Sequence, residues 1–251
     1  MPAHRLRREC PGIAALVVAA VLAGCASAPP AGPSAEERAK AVVASPIRTD
    51  QDRRMDASRN PLAFLPFTGV APGMVVFDLS AGAGYTSQLL ALSVGPTGKL
   101  YAQRPTPGDA LTKRLADHPQ PNVVVVIRPF ADPIPPDAPK FDLITFVNNY
   151  HDFANLPLDR AALNRRLYDA LKPGGRLVIV DHAALPGSGT SATRSLHRID
   201  EAVVVAEVTR AGFVLEAEGA FLRHTEDPRT ASSGDGAILT DKFALKFVRP
   251  N

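Results

Sequence analysis

The chain has 251 residues, a length that suits one α/β domain with extensions and allows a sizeable core. Hydrophobic residues make up 45% and charged residues 21%, an ordinary globular composition that excludes a disordered chain and a helical membrane bundle. The formal net charge is +3, but Arg5, Arg7 and Arg8 against Glu9 place +2 of it in the first 24 residues, which leaves +1 for the rest. So small a balance gives no footprint for a nucleic-acid partner.

In chain order, residues 1–24 come first, with a basic start and the short apolar run GIAALVVAAVLAG. Thirteen apolar residues are too few to span a hydrocarbon core of about 30 Å, and with the small residues that follow they predict a secretory signal peptide. The stretch LAGC, ending in Cys25, resembles the lipobox of bacterial lipoproteins. That resemblance implies acylation of Cys25 and a protein anchored in the cell envelope. Ala26 after the cysteine implies the outer membrane, facing the periplasm. Cys10 leaves with the leader and Cys25 carries lipid, so no thiol remains for a disulfide or a thiolate metal site.

Residues 25–35, rich in Pro, Ala and Ser, read as a flexible tether. Residues 36–73 read as a helical lead-in or lid, beginning with a short helix capped by Ser34. Arg53, Asp56 and Arg59 in this segment admit two readings: a lid that pairs with an anionic substrate, or a charged, solvated helix.

From residue 74 to 251 strands and helices alternate. Strands are predicted at MVVFDL, KLYAQ, NVVVVI, FDLITFVN, GRLVIVDH, FVLEAEGAFL and DKFALKFVR. Helices are predicted at YTSQLLALSV, GDALTKRLADH, LDRAALNRRLYDAL and RIDEAVVVAEVTRAG. Uninterrupted β-branched runs between amphipathic helices indicate a mostly parallel sheet covered on both faces. The last two strands are expected to form an antiparallel hairpin with a short polar link at the C-terminal edge.

The loop in FDLSAGAGYTSQLL, residues 77–90, carries the strongest local signal. A dinucleotide fingerprint would need a third glycine where Ser87 stands, and a P-loop would need a lysine. What remains is an acidic residue, Asp78, three spacers, and Gly82-x-Gly84 before a helix starting at Tyr85. Glycines at these places let the backbone approach a ligand, and the helix N-terminus offers free N–H groups. A tight turn without a ligand is the alternative.

The chain is similar to the class I S-adenosylmethionine-dependent methyltransferases from about residue 50 to its end. The resemblance rests on that loop, on FDLITFVNNYHDF (141–153), on LYDALKPGGRLVIVDH (167–182) and on RAGFVLEAEG (210–219). The segments YHD, DH, HRID and LRHTEDP resemble more narrowly a group of exported methyltransferase-like proteins of unassigned substrate. The family implies a Rossmann-like α/β fold with a seven-stranded sheet, an inserted antiparallel last strand, and S-adenosylmethionine as methyl donor to a small molecule. Gly82 and Gly84 would face the amino-acid part of the donor and Asp78 would support its ammonium end, with Ser80, Tyr85 and Thr86 in the same donor-binding loop. Gln103 would meet the ribose, Phe130 and Asp132 the adenine, and Asn148 and Asn149 would belong to the donor site, with Asn149 holding the donor. Gln103 departs from the family's acidic residue, which costs about tenfold in affinity if a charged hydrogen bond becomes neutral.

For catalysis the resemblance points to NNYHD: Tyr150 shaping the acceptor side, and His151 or Asp152 as base. The alternative is that His151 and Asp152 cap the following turn. Asp181, His182 and His197 fall on the same predicted rim. No ligand spacing such as H-x-x-x-H joins these histidines, so no metal is expected. Asp142 reads as structural, at the entry of its strand. A non-catalytic binding module on the same fold is the alternative function.

Overall fold

The computed structural model describes residues 1–3, 32–234 and 239–251. The expected signal peptide, Cys25 and most of the tether lie outside those residues. The chain divides into two units, Met1–Gly32 and Pro33–Asn251, and every element below belongs to the second. No described helix is long and apolar enough to cross a membrane.

Among the described residues three helices precede the sheet: α1 (Ala35–Val43), α2 (Asp50–Arg59) and α3 (Pro61–Thr68). Ser34 and Glu37 close a reciprocal capping box on α1, and Thr49 and Asp52 close another on α2, each satisfying N–H groups that a helix start leaves bare. Pro61 opens α3, where its missing N–H is no loss.

Then follow β1 (Val75–Leu79), α4 (Tyr85–Val94), β2 (Lys99–Arg104), α5 (Asp109–Asp117) and β3 (Val123–Ile127). Next come β4 (Phe141–Val147), α6 (Tyr150–Phe153), α7 (Arg160–Ala170), β5 (Leu171–His182) and α8 (Thr193–Leu196). Last are α9 (Glu201–Arg210), β6 (Val214–Gly219) and β7 (Lys242–Val248). The sheet order is β3-β2-β1-β4-β5-β7-β6, parallel except for β7. The expected α/β class and the antiparallel last strand both hold.

The core sits on both faces of this sheet, because side chains alternate along each strand. Phe77 and Leu79 pack with Phe141, Phe146, Leu167 of α7 and Val208 of α9. Val76, on the opposite face of β1, packs with Leu89 and Leu90 of α4, Phe64 of α3 and Ala39 of α1. Residues 36–73 are thus built into the compact unit as part of one covering layer.

β7 lies between β5 and β6, the inserted position that the resemblance implies, and β6 is the edge. One expectation, the short polar link to β7, needs correction. The link before it, residues 220–241, is long and anchored inside the protein through Leu222 and Asp227, both buried. Polar composition hid this because Asp227 is paired with the fully buried Arg198, at 2.7 Å. Asp142 is structural as expected: it accepts the Val75 N–H at 2.8 Å and pairs with Lys172.

Candidate functional site

The β1–α4 loop needs unusual backbone. Ser80, Gly82 and Gly84 all have positive φ, at 61°, 56° and 87°. Only glycine enters that region without strain, so the two glycines let the chain turn from strand to helix within five residues. Gly84 caps α4 and has no side chain to satisfy its first-turn N–H groups.

The loop opens into a cavity of about 470 Å³. Asp78, Ser80, Gly82, Tyr85, Thr86 and Asn149 line it, six of the residues expected at a donor site. Its far walls come from α2, with Asp52, Met55 and Arg59, and from α5, with Lys113 and Arg114. Such a volume is ordinary for a small-molecule site.

The two glycines play different parts. A Cβ on Gly82 would find only the Ser80 carbonyl, at 4.0 Å, so that face is open. A Cβ on Gly84 would stand 2.7 Å from Leu111 Cδ1 and 3.3 Å from Arg114 Cδ. Gly84 therefore makes room for α5 and not for a ligand, which corrects the expectation.

Asp78 is buried and both its oxygens are engaged, by Ser87 Oγ and by Thr145 Oγ1 at 2.8 Å. Burial pushes it up to about 6, against the hydrogen bonds from Ser87 and Thr145 and the attraction of Arg59. Gln103 is fully buried and already satisfied. Its Oε1 accepts the Ser80 N–H at 3.0 Å and its Nε2 donates to the Arg128 carbonyl at 2.7 Å. It fastens the β1–α4 loop and the segment after β3 to the end of β2, and is not part of the cavity wall.

Phe130 stacks on Phe153, centroids 4.4 Å apart, and Asp132 pairs with Arg128 and with Arg166. Neither lines the cavity, so an adenine grip at these residues is not seen. Asn148 has φ of 56° and donates its N–H to Val180 O, while its Oδ1 is buried with no partner among the described residues. Asn149 faces the cavity and donates to Val147 O.

Tyr150 turns the other way. Its hydroxyl donates to Glu207 at 2.8 Å and accepts from Asn164 at 2.8 Å, inside the core between α7 and α9. Burial and then Glu207 hold the phenol far above its ordinary range. It does not shape an acceptor side, because the polar pair on α7 and α9 claims it.

His151 is buried, and Asp181 grips it twice: the ring Nδ1 lies 2.7 Å from Oδ1, and the backbone N–H donates to Oδ2 at 2.8 Å. Burial works against its charge, but Asp152 and Asp181 prevail and raise it to about 9. At neutral pH the ring thus holds its proton, which removes it as a resting general base. Asp152 Oδ1 lies 3.3 Å from His151 Nε2 and 3.5 Å from His197 Nδ1. His182 turns to Thr240 at 2.8 Å, and burial, then Lys242, push it down to about 2.

Of the three lead-in residues, Arg53 donates to the Val43 and Ser45 carbonyls, and Asp56 accepts from Arg48 at 2.9 Å and from Tyr85 Oη at 2.7 Å. Neither is free for a substrate. Arg59 faces the cavity, its guanidinium 5.8 Å from the Tyr85 ring centre. Sequence reasoning missed Asp52 and Arg114, which pair at 2.8 Å and join α2 to α5 across the cavity. Only the capping box marked Asp52, and no spacing tied it to Arg114.

No protein-family model matches the chain, and no curated protein matches it. Among solved structures it is similar to a SAM-dependent methyltransferase from Aquifex aeolicus. There the TM-score is 0.58 at 19% identity, over 80% of this chain and 99% of that one. It is also similar to a glycopeptide N-methyltransferase complexed with sinefungin. That match has a TM-score of 0.55 at 18% identity, over 78% of this chain and 87% of the other. At such identities the likeness is one of fold.

Proposed function

We propose that the chain is an S-adenosylmethionine-dependent methyltransferase acting on a small acceptor, held in the cell envelope by a lipid on Cys25. The observation that carries the reading is Gly82: its open, left-handed backbone faces a 470 Å³ cavity on a sheet of methyltransferase order. The cofactor supplies an activated methyl group, so the protein's task is chiefly alignment. Gly82 admits the ligand's backbone-close portion, and the bare N–H groups of α4 favour its carboxylate. Asp78 lies beneath with a carboxyl poised near 6, able to answer an ammonium group. Asn149 and Arg59 line the same cavity, where the Arg59 charge would draw an acceptor with an acidic group.

Calorimetric titration of the purified protein with S-adenosylmethionine and with its demethylated product tests this. Binding of both is expected, and no heat up to millimolar concentration sinks the reading. Gln103 favours a second reading, a binding module without turnover, because its amide is spent on Ser80 and Arg128 and offers a ribose nothing. Donor binding without methylation of any small acceptor in a labelled-methyl screen would favour it. For the anchor, Cys25→Ser should move the protein from the membrane to the soluble fraction; continued membrane attachment rejects lipidation.

A further inference from the structure

Directly after Asn149 in the chain, α6 and the end of α8 bring together three side chains that no reading above employs as a set. We propose that His151, Asp152 and His197 form a binding site for a divalent transition cation of the zinc type. One ligand atom from each residue lies within 4.8 Å of the others. Zinc holds ligands at about 2.0–2.1 Å, so the edges of its tetrahedron measure about 3.4 Å. The two contacts to Asp152 Oδ1, at 3.3 and 3.5 Å, are such edges.

The outer partners are those a metal site requires. Asp181, fully buried, holds His151 by Nδ1 at 2.7 Å, leaving Nε2 as the ligand atom. A carboxylate behind a ligating imidazole fixes its tautomer and raises its basicity. Asp181 is itself fixed by the N–H groups of His151 and His182, both at 2.8 Å. His197 caps α8 with φ of 52° and ψ of 48°, a left-handed backbone that a histidine adopts at a cost, and its ring reaches that of His151 at 5.6 Å. A hydrogen bond from Thr193 to Asn155, at 2.9 Å, fastens α8 to the segment after α6.

Two imidazoles and one carboxylate suit a borderline cation, whereas calcium and magnesium call for more oxygens. Three protein ligands leave a fourth position, and Asp152 and His197, 45% and 51% exposed, open it to solvent. A water or an oxygen of an incoming molecule completes the shell.

The test uses the full chain without a histidine tag, stripped by chelator and desalted. It is titrated with zinc chloride by calorimetry and with cobalt chloride by visible absorption. One equivalent should bind, with the intense visible bands of four-coordinate cobalt. His197→Ala and Asp152→Asn, both at exposed positions, should weaken binding at least tenfold with an unchanged circular dichroism spectrum. Asp181→Asn, which leaves every ligand in place, should weaken it by about 10–100-fold. His224→Ala, on a separate histidine, should match the parent. Absence of saturable binding overturns the proposal, as does binding in the His197 and Asp152 variants as tight as in the parent. The outcome does not depend on whether S-adenosylmethionine binds.

Discussion

Asp181 receives three hydrogen bonds at once, from the His151 ring, the His151 N–H and the His182 N–H, and so locks the end of β5 to the start of α6. It is fully buried, so no water replaces a lost partner. Hydrogen bonds to a charged group are worth about 1.5–3 kcal/mol each, and three on one carboxylate do not add. Asp181→Ala should therefore lower stability by about 3 kcal/mol, read from the urea midpoint at unchanged slope. Asp181→Asn, keeping volume and one acceptor, should cost less. Equal stability of all three proteins would mean that the clasp is slack.

Asp78 makes stability depend on pH in an unusual sense. Its folded pKa of about 6 exceeds the ordinary carboxyl value of 3.8, so between these the folded state binds more protons than the unfolded one. Stability from this group thus falls as pH rises from about 4 to about 6, by up to about 3 kcal/mol. Asp78→Asn removes the titration, so the difference in stability between parent and variant should change over that window and stay flat above pH 7. A difference that does not vary with pH would place the Asp78 carboxyl in its ordinary range.

The two loop glycines should separate in experiment. Gly84→Ala forces a Cβ against Leu111 at φ of 87°, and should destabilise by about 1–3 kcal/mol. Gly82→Ala meets no protein atom closer than 4.0 Å and should cost about 1 kcal/mol of backbone strain while weakening donor binding at least tenfold. If Gly84→Ala proves the more harmful to binding at unchanged stability, the open face has been assigned to the wrong glycine.

The strands and helices of the sheet were legible because each is announced by a local pattern: the β-branched run of VVVVI, the Ser34 cap, the glycines after Asp78. What the sequence did not show was direction. Tyr150 looks equally able to face cleft or core until Asn164 and Glu207, from two later helices, claim its hydroxyl. Gln103 reads as a ribose ligand until its amide is found bridging Ser80 and Arg128. His197 reaches Asp152 only because α8 returns beside α6, and no spacing announces that. Pairings between distant segments depend on packing, which periodicity does not report.

Arg198 and Asp227 supply the severest test of that packing. Their side chains are fully buried, and Nη1 lies 2.7 Å from Oδ2. Arg198 also donates to the Ala183 and Ala231 carbonyls, while Asp227 accepts the N–H groups of Arg229 and Asp241. The pair thus holds the long link before β7 against the end of β5. Removing one partner strands the other charge in the interior, where it costs about 3–5 kcal/mol. Asp227→Ala and Arg198→Ala should each destabilise by that amount, but the double variant by much less than their sum, because each single change already breaks the pair. Thermal unfolding of the four proteins closes the cycle. Strictly additive losses would mean that the two side chains are stabilised separately by the backbone groups around them, and not by each other.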